Sequence, residues 1–264
     1  MTNKKLIIFI LAFVLMIGFW FSKDLLKESD QPLFSPQPSG TQLLKIKLIE
    51  IKEVGDKYEI QINYPEFFGS VFPEAEKTAN LFLKNRFEDD IKRLKDDLVE
   101  NIVDTPGLKS SIETNYEEIM LTDKLASIRF DNSQYGAGAA HPNSFYSVFN
   151  YDFEKNEQIE LVDLFSPGSD FLPIISDLAL QDIKEQLKGV ALTSIVDEEI
   201  FKAGLEPNIN NFSDFNFDEE KITFVFDPYQ FKAYPISPQL VSISYDQLRE
   251  FNDKSELLKL IEQY

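Results

Sequence analysis

Carboxylates dominate the chemistry available to this chain. Its 264 residues include 45 Asp and Glu against 26 Lys and Arg, with one histidine and no cysteine. Acids stand side by side at several points, among them Glu117-Glu118, Glu198-Glu199 and Asp218-Glu219-Glu220. Glycoside hydrolysis uses two carboxyl groups, one as acid and one as base or nucleophile, but they need to meet in space rather than in sequence. In so acidic a chain, adjacent acids follow from composition and read as solvated faces. Asp214-Phe215-Asn216-Phe217-Asp218 has the opening spacing of a calcium loop. The pattern then fails, because Glu219 stands where glycine is needed and Val225 where a bidentate Glu is needed. The alternation of Phe212, Phe215 and Phe217 with polar residues reads instead as a surface strand.

His141 is the one imidazole. Cys/His zinc sites and two-histidine metal sites are therefore excluded. A Ser-His-Asp triad would have to use His141, and no G-x-S-x-G elbow is present. Phosphate-cradling and dinucleotide fingerprints are absent too, so no cofactor is expected. His141 precedes Pro142 in the small-residue loop Tyr135-Gly136-Ala137-Gly138-Ala139-Ala140. The expectation there is structural, an imidazole that fixes backbone by hydrogen bonding. The glycines imply special backbone angles or close approach of another segment.

The elements around these residues mix strands and helices. Leu44, Ile46 and Leu48 alternate, and Ile49 and Ile51 continue out of phase, which predicts a bulge. Gly55-Asp56 makes a turn, Tyr58, Ile60, Ile62 and Tyr64 return as the second arm of a hairpin, and Pro65 is expected to end it. Leu83, Phe87, Ile91, Leu94 and Leu98 form one apolar stripe on a charged helix over 74–100. Strands are predicted around 115–131 and 144–153. A helix over about 170–188 should be capped by Ser169. A short helix near 193–203 follows, then strands near 212–217, 221–227 and 239–244, and a helical C-terminus from about 245. Without regular β-α alternation, the pattern predicts an α+β fold.

The N-terminus sets the expected compartment. Lys4 and Lys5 precede the apolar run Leu6 to Phe21. Lysine-rich flanks stay cytoplasmic, and Phe19-Trp20-Phe21 suits an aromatic belt. Bulky residues stand where signal peptidase needs small ones. The expectation is an uncleaved signal anchor over residues 1–22, holding the chain to the cell membrane through residues 6–21. A Pro/Ser-rich tether over 23–40 follows. Residues beyond it would be extracytoplasmic. Without cysteine, the exported part must rely on ordinary cores. Its charge is uneven, net −6 over residues 41–138 and net −14 over 139–264. Nucleic-acid binding needs a basic footprint that so acidic a surface does not offer, and no such partner is expected. A cationic partner fits the field, although acidity also serves solubility.

Several stretches over residues 135–248 resemble a known family. They are Gly138-Ala139-Ala140-His141-Pro142, Asn150-Tyr151-Asp152, and Ile159-Glu160-Leu161-Val162-Asp163-Leu164-Phe165. Near the end come Ile222-Thr223-Phe224-Val225-Phe226-Asp227-Pro228-Tyr229-Gln230-Phe231-Lys232-Ala233-Tyr234-Pro235 and Val241-Ser242-Ile243-Ser244-Tyr245. Together they resemble the extracytoplasmic domain family shared by the anti-sigma-V factor RsiV and the peptidoglycan deacetylase PdaC. Residues 41–131 resemble the smaller domain that commonly precedes it. Ser237-Pro238 stand where relatives usually carry glycine, so that turn departs from the pattern.

The resemblance implies an α+β, two-part ectodomain behind a single N-terminal transmembrane helix, divided into a smaller domain over 41–134 and an RsiV-like domain over 135–264. RsiV-like ectodomains sense lysozyme, and PdaC-like enzymes keep their deacetylase chemistry in a further domain. No catalytic residue therefore carries over. Gly138, His141, Pro142, Asp152, Asp163, Tyr229, Tyr234 and Pro235 are expected to be structural motif positions. The expected function is an extracytoplasmic binding or sensor domain for a lysozyme-like cationic protein or a cell-wall glycan, rather than an enzyme. A carboxylate-dependent enzyme or accessory factor acting on peptidoglycan is the alternative.

Overall fold

The computed structural model describes residues 44–100, 107–186, 203–227, 230, 239–252, 255–261 and 263. The anchor at 1–22, the tether at 23–40, the helix near 193–203, Glu198-Glu199, Tyr229, Tyr234 and Pro235 lie outside them. Among the described residues, no helix is long and apolar enough to cross a membrane.

The chain opens with a hairpin of β1 (Lys45–Val54) and β2 (Tyr58–Phe68). Its register is continuous from Lys45↔Phe68 to Val54↔Glu59, so the bulge expected near Ile49 is absent. The out-of-phase residues are explained by burial. Both faces of β1 are partly covered, and the strand need not keep one apolar side. β2 also runs on through Pro65. Its second neighbour, β3, pairs only with Tyr58–Ile62, so beyond Ile62 one edge needs no N–H donor.

Helix α1 (Pro73–Glu100) carries the chain from β2 to the parallel strand β3 (Ser110–Leu121). Pro73 suits a first helical position, where the missing N–H is not needed. Asn80 ties the helix to the strand before it, accepting from Phe67 N at 2.8 Å and donating to Phe67 O at 2.8 Å. Ala75, Ala79, Leu83 and Phe87 are buried against the sheet, while Ile91 and Leu94 are partly buried. The apolar stripe thus fades toward the C-terminal half, and that half forms a wall open to solvent.

The expected strand over 115–131 resolves into two, β3 and β4 (Leu125–Tyr135), which turn through Thr122. With β5 (Asn143–Asp152) and β6 (Glu157–Gln158) they complete a six-stranded sheet in the order β1-β2-β3-β4-β5-β6. The expected division at 134/135 falls inside this sheet, because β5 pairs along β4 from Gln134↔Asn143 to Leu125↔Asp152. After a 3-10 turn (Leu161–Leu164) comes helix α2 (Leu172–Gln186). Ser169 does not cap it. Its Oγ is buried without a hydrogen-bond partner, three residues ahead of the first helical residue.

A second, three-stranded sheet is formed by β7 (Phe215–Phe217), β8 (Lys221–Phe226) and β9 (Gln239–Ser244). The 3-10 turn Tyr245–Leu248 leads into short helices α3 (Arg249–Asn252) and α4 (Glu256–Ile261).

Strand alternation makes β4 a wall shared by two cores. Ala126, Ile128 and Phe130 face α1 in one core, and Leu125 joins Met120, α2, the small sheet and the C-terminal helices in the other. β7 lies in this second core rather than on the surface: Phe215, Asn216 and Phe217 are all buried. Its polar residue is buried because it bonds across the seam. Asn216 Nδ2 donates to Ser127 Oγ and to Ile128 O, each at 3.1 Å. Phe217 N donates to Ser127 Oγ at 3.1 Å, and Asn150 Nδ2 donates to Phe215 O at 2.6 Å. Ser127 in turn donates to Asn150 Oδ1 at 2.8 Å. The β3–β4 register shifts between Glu118 and Met120, opposite Ile128 and Ser127. The bulge therefore falls where the second sheet docks.

Candidate functional site

A groove of about 870 Å³ opens beside the exposed end of α1. Asp90, Arg93, Leu94 and Asp97 form the helix wall. Ser110–Ile112 from β3, Gln134–Ala137 at the end of β4, and Asn143 and Phe145 from β5 form the sheet side. Asp227, just past β8, adds an acid from the second sheet. A neighbouring hollow of about 540 Å³ shares Asp90, Arg93, Gln134 and Phe145 and reaches down to Arg86 and Asn132.

The floor is a satisfied polar network. Buried Asn132 donates to Ser147 Oγ at 2.9 Å and to the carbonyls of Phe130 and Phe145, and accepts from Thr114 Oγ1 at 3.1 Å. Arg86 donates to the same Ser147 Oγ and lies over the Phe130 ring at 5.1 Å. Burial pulls its pKa downward, while the charges of Asp90 and Asp214 pull it back. A guanidinium stays protonated in this setting, so Arg86 is a fixed positive charge beneath the groove. Arg93 is bonded to Asp90.

Two acids flanking β7 and β8 are perturbed. Desolvation, then the negative charge of Asp227, raises Asp214 above the ordinary aspartate range, and Arg86 acts against this. Desolvation raises Asp227 as well. Both side chains still reach solvent, so they exchange protons with it. The antiparallel pairing of β7 with β8 explains their proximity. Asp214 O accepts from Val225 N at 2.8 Å, two residues before Asp227. Burial and a neighbouring carboxylate together make Asp214 hold a proton more tightly than an ordinary aspartate. Among the described residues, no group of three or more His, Cys, Asp or Glu side chains is placed to hold a metal ion.

The motif residues expected from sequence sit apart from this pair. Gly138 has φ 89° in the β4–β5 loop, where a side chain would be strained. His141 and Pro142 are exposed, and His141 Nδ1 lies 2.9 Å from Pro142 O, so any backbone it fixes is at the surface. Asp152 is buried and accepts from Glu154 N at 2.9 Å and Lys155 N at 3.0 Å, closing the β5–β6 turn. Asp163 accepts from Glu160 N at 2.9 Å in a 3-10 capping box. Of the acid clusters, Glu117 pairs with Arg129, and Asp218 caps the β7–β8 turn through Glu220 N and Lys221 N.

Arg86, Asn132 and the pairing of Asp214 with Asp227 were not found from sequence. In the sequence, Asp214 reads as the start of a calcium loop and Asp227 as part of a family motif. The available signal was Arg86 beside Phe87 on the apolar stripe, a cation at the margin of a core.

Fold and groove together define an α+β module of two packed sheets with an open, acid-rimmed cleft. Residues 51–144 match the family model described as "Deacetylase PdaC", and residues 162–246 match "Protein of unknown function (DUF3298)". Together the two matches support a PdaC-like domain family. It is 24% identical over 244 residues to "Peptidoglycan-N-acetylmuramic acid deacetylase PdaC" of Bacillus subtilis (strain 168), a match covering 92% of this chain and 49% of that protein. The chain spans about half the length of this curated relative. A crystal structure of a DUF3298 family member from Bacteroides fragilis superposes with a TM-score of 0.62 at 16% identity, covering 86% of this chain and all of that one. One from Pseudomonas aeruginosa gives 0.54 at 15% identity, covering 80% and 94%. At these identities the two structures bear on the fold alone.

Proposed function

We propose that this chain is an extracytoplasmic cell-wall-binding module, anchored to the membrane through residues 6–21, with peptidoglycan glycan held in the groove. The groove's lining carries the reading. It combines carboxylates and amides (Asp97, Gln134, Asn143) with two rings, Tyr135 and Phe145. A concave surface of this composition fixes a polyhydroxyl chain by hydrogen bonds and packs its sugar faces. The similarity to a protein named for peptidoglycan deacetylation supports the compartment and the ligand class.

The test is co-sedimentation of the full, detergent-solubilised chain with purified sacculi. Wild type should pellet with them, and Tyr135→Ala with Asn143→Ala should stay in the supernatant while keeping wild-type melting. A chain that ignores sacculi but forms a defined complex with lysozyme would replace the glycan by a cationic protein.

One observation favours a second reading, carboxylate chemistry on the same glycan: Asp214 and Asp227 are both raised by burial, and the charge of Asp227 adds to the rise at Asp214. Incubating sacculi with wild type and with Asp227→Asn tests it. Release of new reducing ends by wild type alone would establish it.

A further inference from the structure

We propose that the groove selects amine-bearing glycan, in which hexosamine nitrogens are free ammonium groups rather than acetamides. This rests on the reading that the groove holds cell-wall glycan. The charges lining the groove are not balanced. Arg93 is bonded to Asp90, and Arg86 is held below by Ser147 and Phe130. Asp97 on α1 and Asp227 beyond β8 line the groove from two different elements, and among the described residues neither has an ion-pair partner. Both are exposed, so a ligand can reach them.

The remaining lining is neutral. Gln134 and Asn143 offer amide donors and acceptors that suit a hydroxyl, an acetamide or an amine alike. Tyr135 and Phe145 offer ring faces that are also indifferent to acetylation. The discrimination therefore falls to the carboxylates. An ammonium donates a charge-assisted hydrogen bond to such a group, roughly twice as strong as a neutral one. An acetamide gains nothing comparable and adds bulk.

This chemistry places the module after an amide-cleaving step. In that step water adds to the acetyl carbon, the C–N bond breaks, acetate leaves and the nitrogen takes up a proton. The name of the Bacillus subtilis relative describes a reaction of this class. The groove is thus matched to the product of N-deacetylation rather than to its substrate.

The test uses the full chain in detergent, titrated by calorimetry with glucosamine and N-acetylglucosamine oligomers of equal length at about pH 6, where aliphatic amines are protonated. The glucosamine oligomer should bind about tenfold tighter, a difference of roughly 1.4 kcal/mol. Asp97→Asn and Asp227→Asn should each weaken that preference, and the double variant should abolish it, so that the two oligomers bind alike. Equal binding of the two oligomers by wild type would overturn the selection and leave glycan binding intact. Binding of neither would overturn the glycan reading itself. An oligolysine of matched charge that bound as tightly, through the same two carboxylates, would reduce the effect to a general affinity for polycations.

Discussion

Ser127→Ala tests the seam between the two sheets. Ser127 Oγ donates to Asn150 Oδ1 at 2.8 Å and accepts from Asn216 Nδ2 and Phe217 N, each at 3.1 Å. All four residues are buried, so water cannot replace the hydroxyl without entering the core. The variant strands one backbone N–H, because Phe217 N has lost its acceptor, at about 1–3 kcal/mol. Asn216 Nδ2 keeps Ile128 O, and Asn150 Nδ2 keeps Phe215 O, so neither amide is fully orphaned. The lost bond to Asn150 adds about 1 kcal/mol. The expected total is roughly 2–4 kcal/mol. Urea unfolding followed by far-ultraviolet circular dichroism and by tyrosine fluorescence should give one shared transition shifted to lower urea. Asn216→Ala and the double variant complete a cycle. Its coupling should be about 1 kcal/mol or more, since the residues touch. A destabilisation below about 0.5 kcal/mol, or two additive single effects, would refute the view that this network joins the sheets.

Other outcomes follow from the same geometry. Because Asp214 is raised in the folded chain, the folded state holds its proton more tightly than the unfolded one. Its contribution is therefore most favourable at low pH and is lost as pH rises through the folded value. Asp214→Asn should raise the melting temperature at neutral pH, with the gain shrinking toward pH 3; melting scans across that range check both parts. Glu53 runs the other way. Desolvation pushes it up, but hydrogen bonds from Lys95 and Tyr58 outweigh this and leave it lowered, so Glu53→Gln should cost stability at neutral pH and nothing in strong acid. Phe87→Ala, which removes a fully buried ring packed on Tyr64 at 4.9 Å and Phe130 at 5.3 Å, should cost about 3–5 kcal/mol in urea unfolding. His141→Ala should change unfolding by less than about 0.5 kcal/mol, since the imidazole is exposed rather than buried.

The legible parts of the fold were those with local periodicity. The 28-residue helix α1 and its stripe from Leu83 to Leu98 followed from spacing alone, as did the Gly55 turn. What failed depended on distant partners. Pro65 ends a strand only if both edges are paired, and the pairing with β3 stops at Ile62. β7 alternates like a surface strand, yet Asn216 is buried because Ser127 and Ile128, almost ninety residues earlier, receive its amide. The groove was hidden for the same reason. Asp97, Gln134, Asn143 and Asp227 come from four segments with no shared motif, and only the packing of β5, α1 and the small sheet collects them.

The central claim is that glycan lies along the groove between α1 and the ends of β3, β4 and β5. Hydrogen-exchange mass spectrometry of the full chain, with and without soluble peptidoglycan fragments, tests it most directly. Slower exchange should concentrate in 90–98, 110–112, 134–137 and 143–145, the segments that line the groove. The turn at Gly55 and helix α4 should be unchanged. Protection confined to those remote elements, or none at fragment concentrations that saturate binding, would contradict the account.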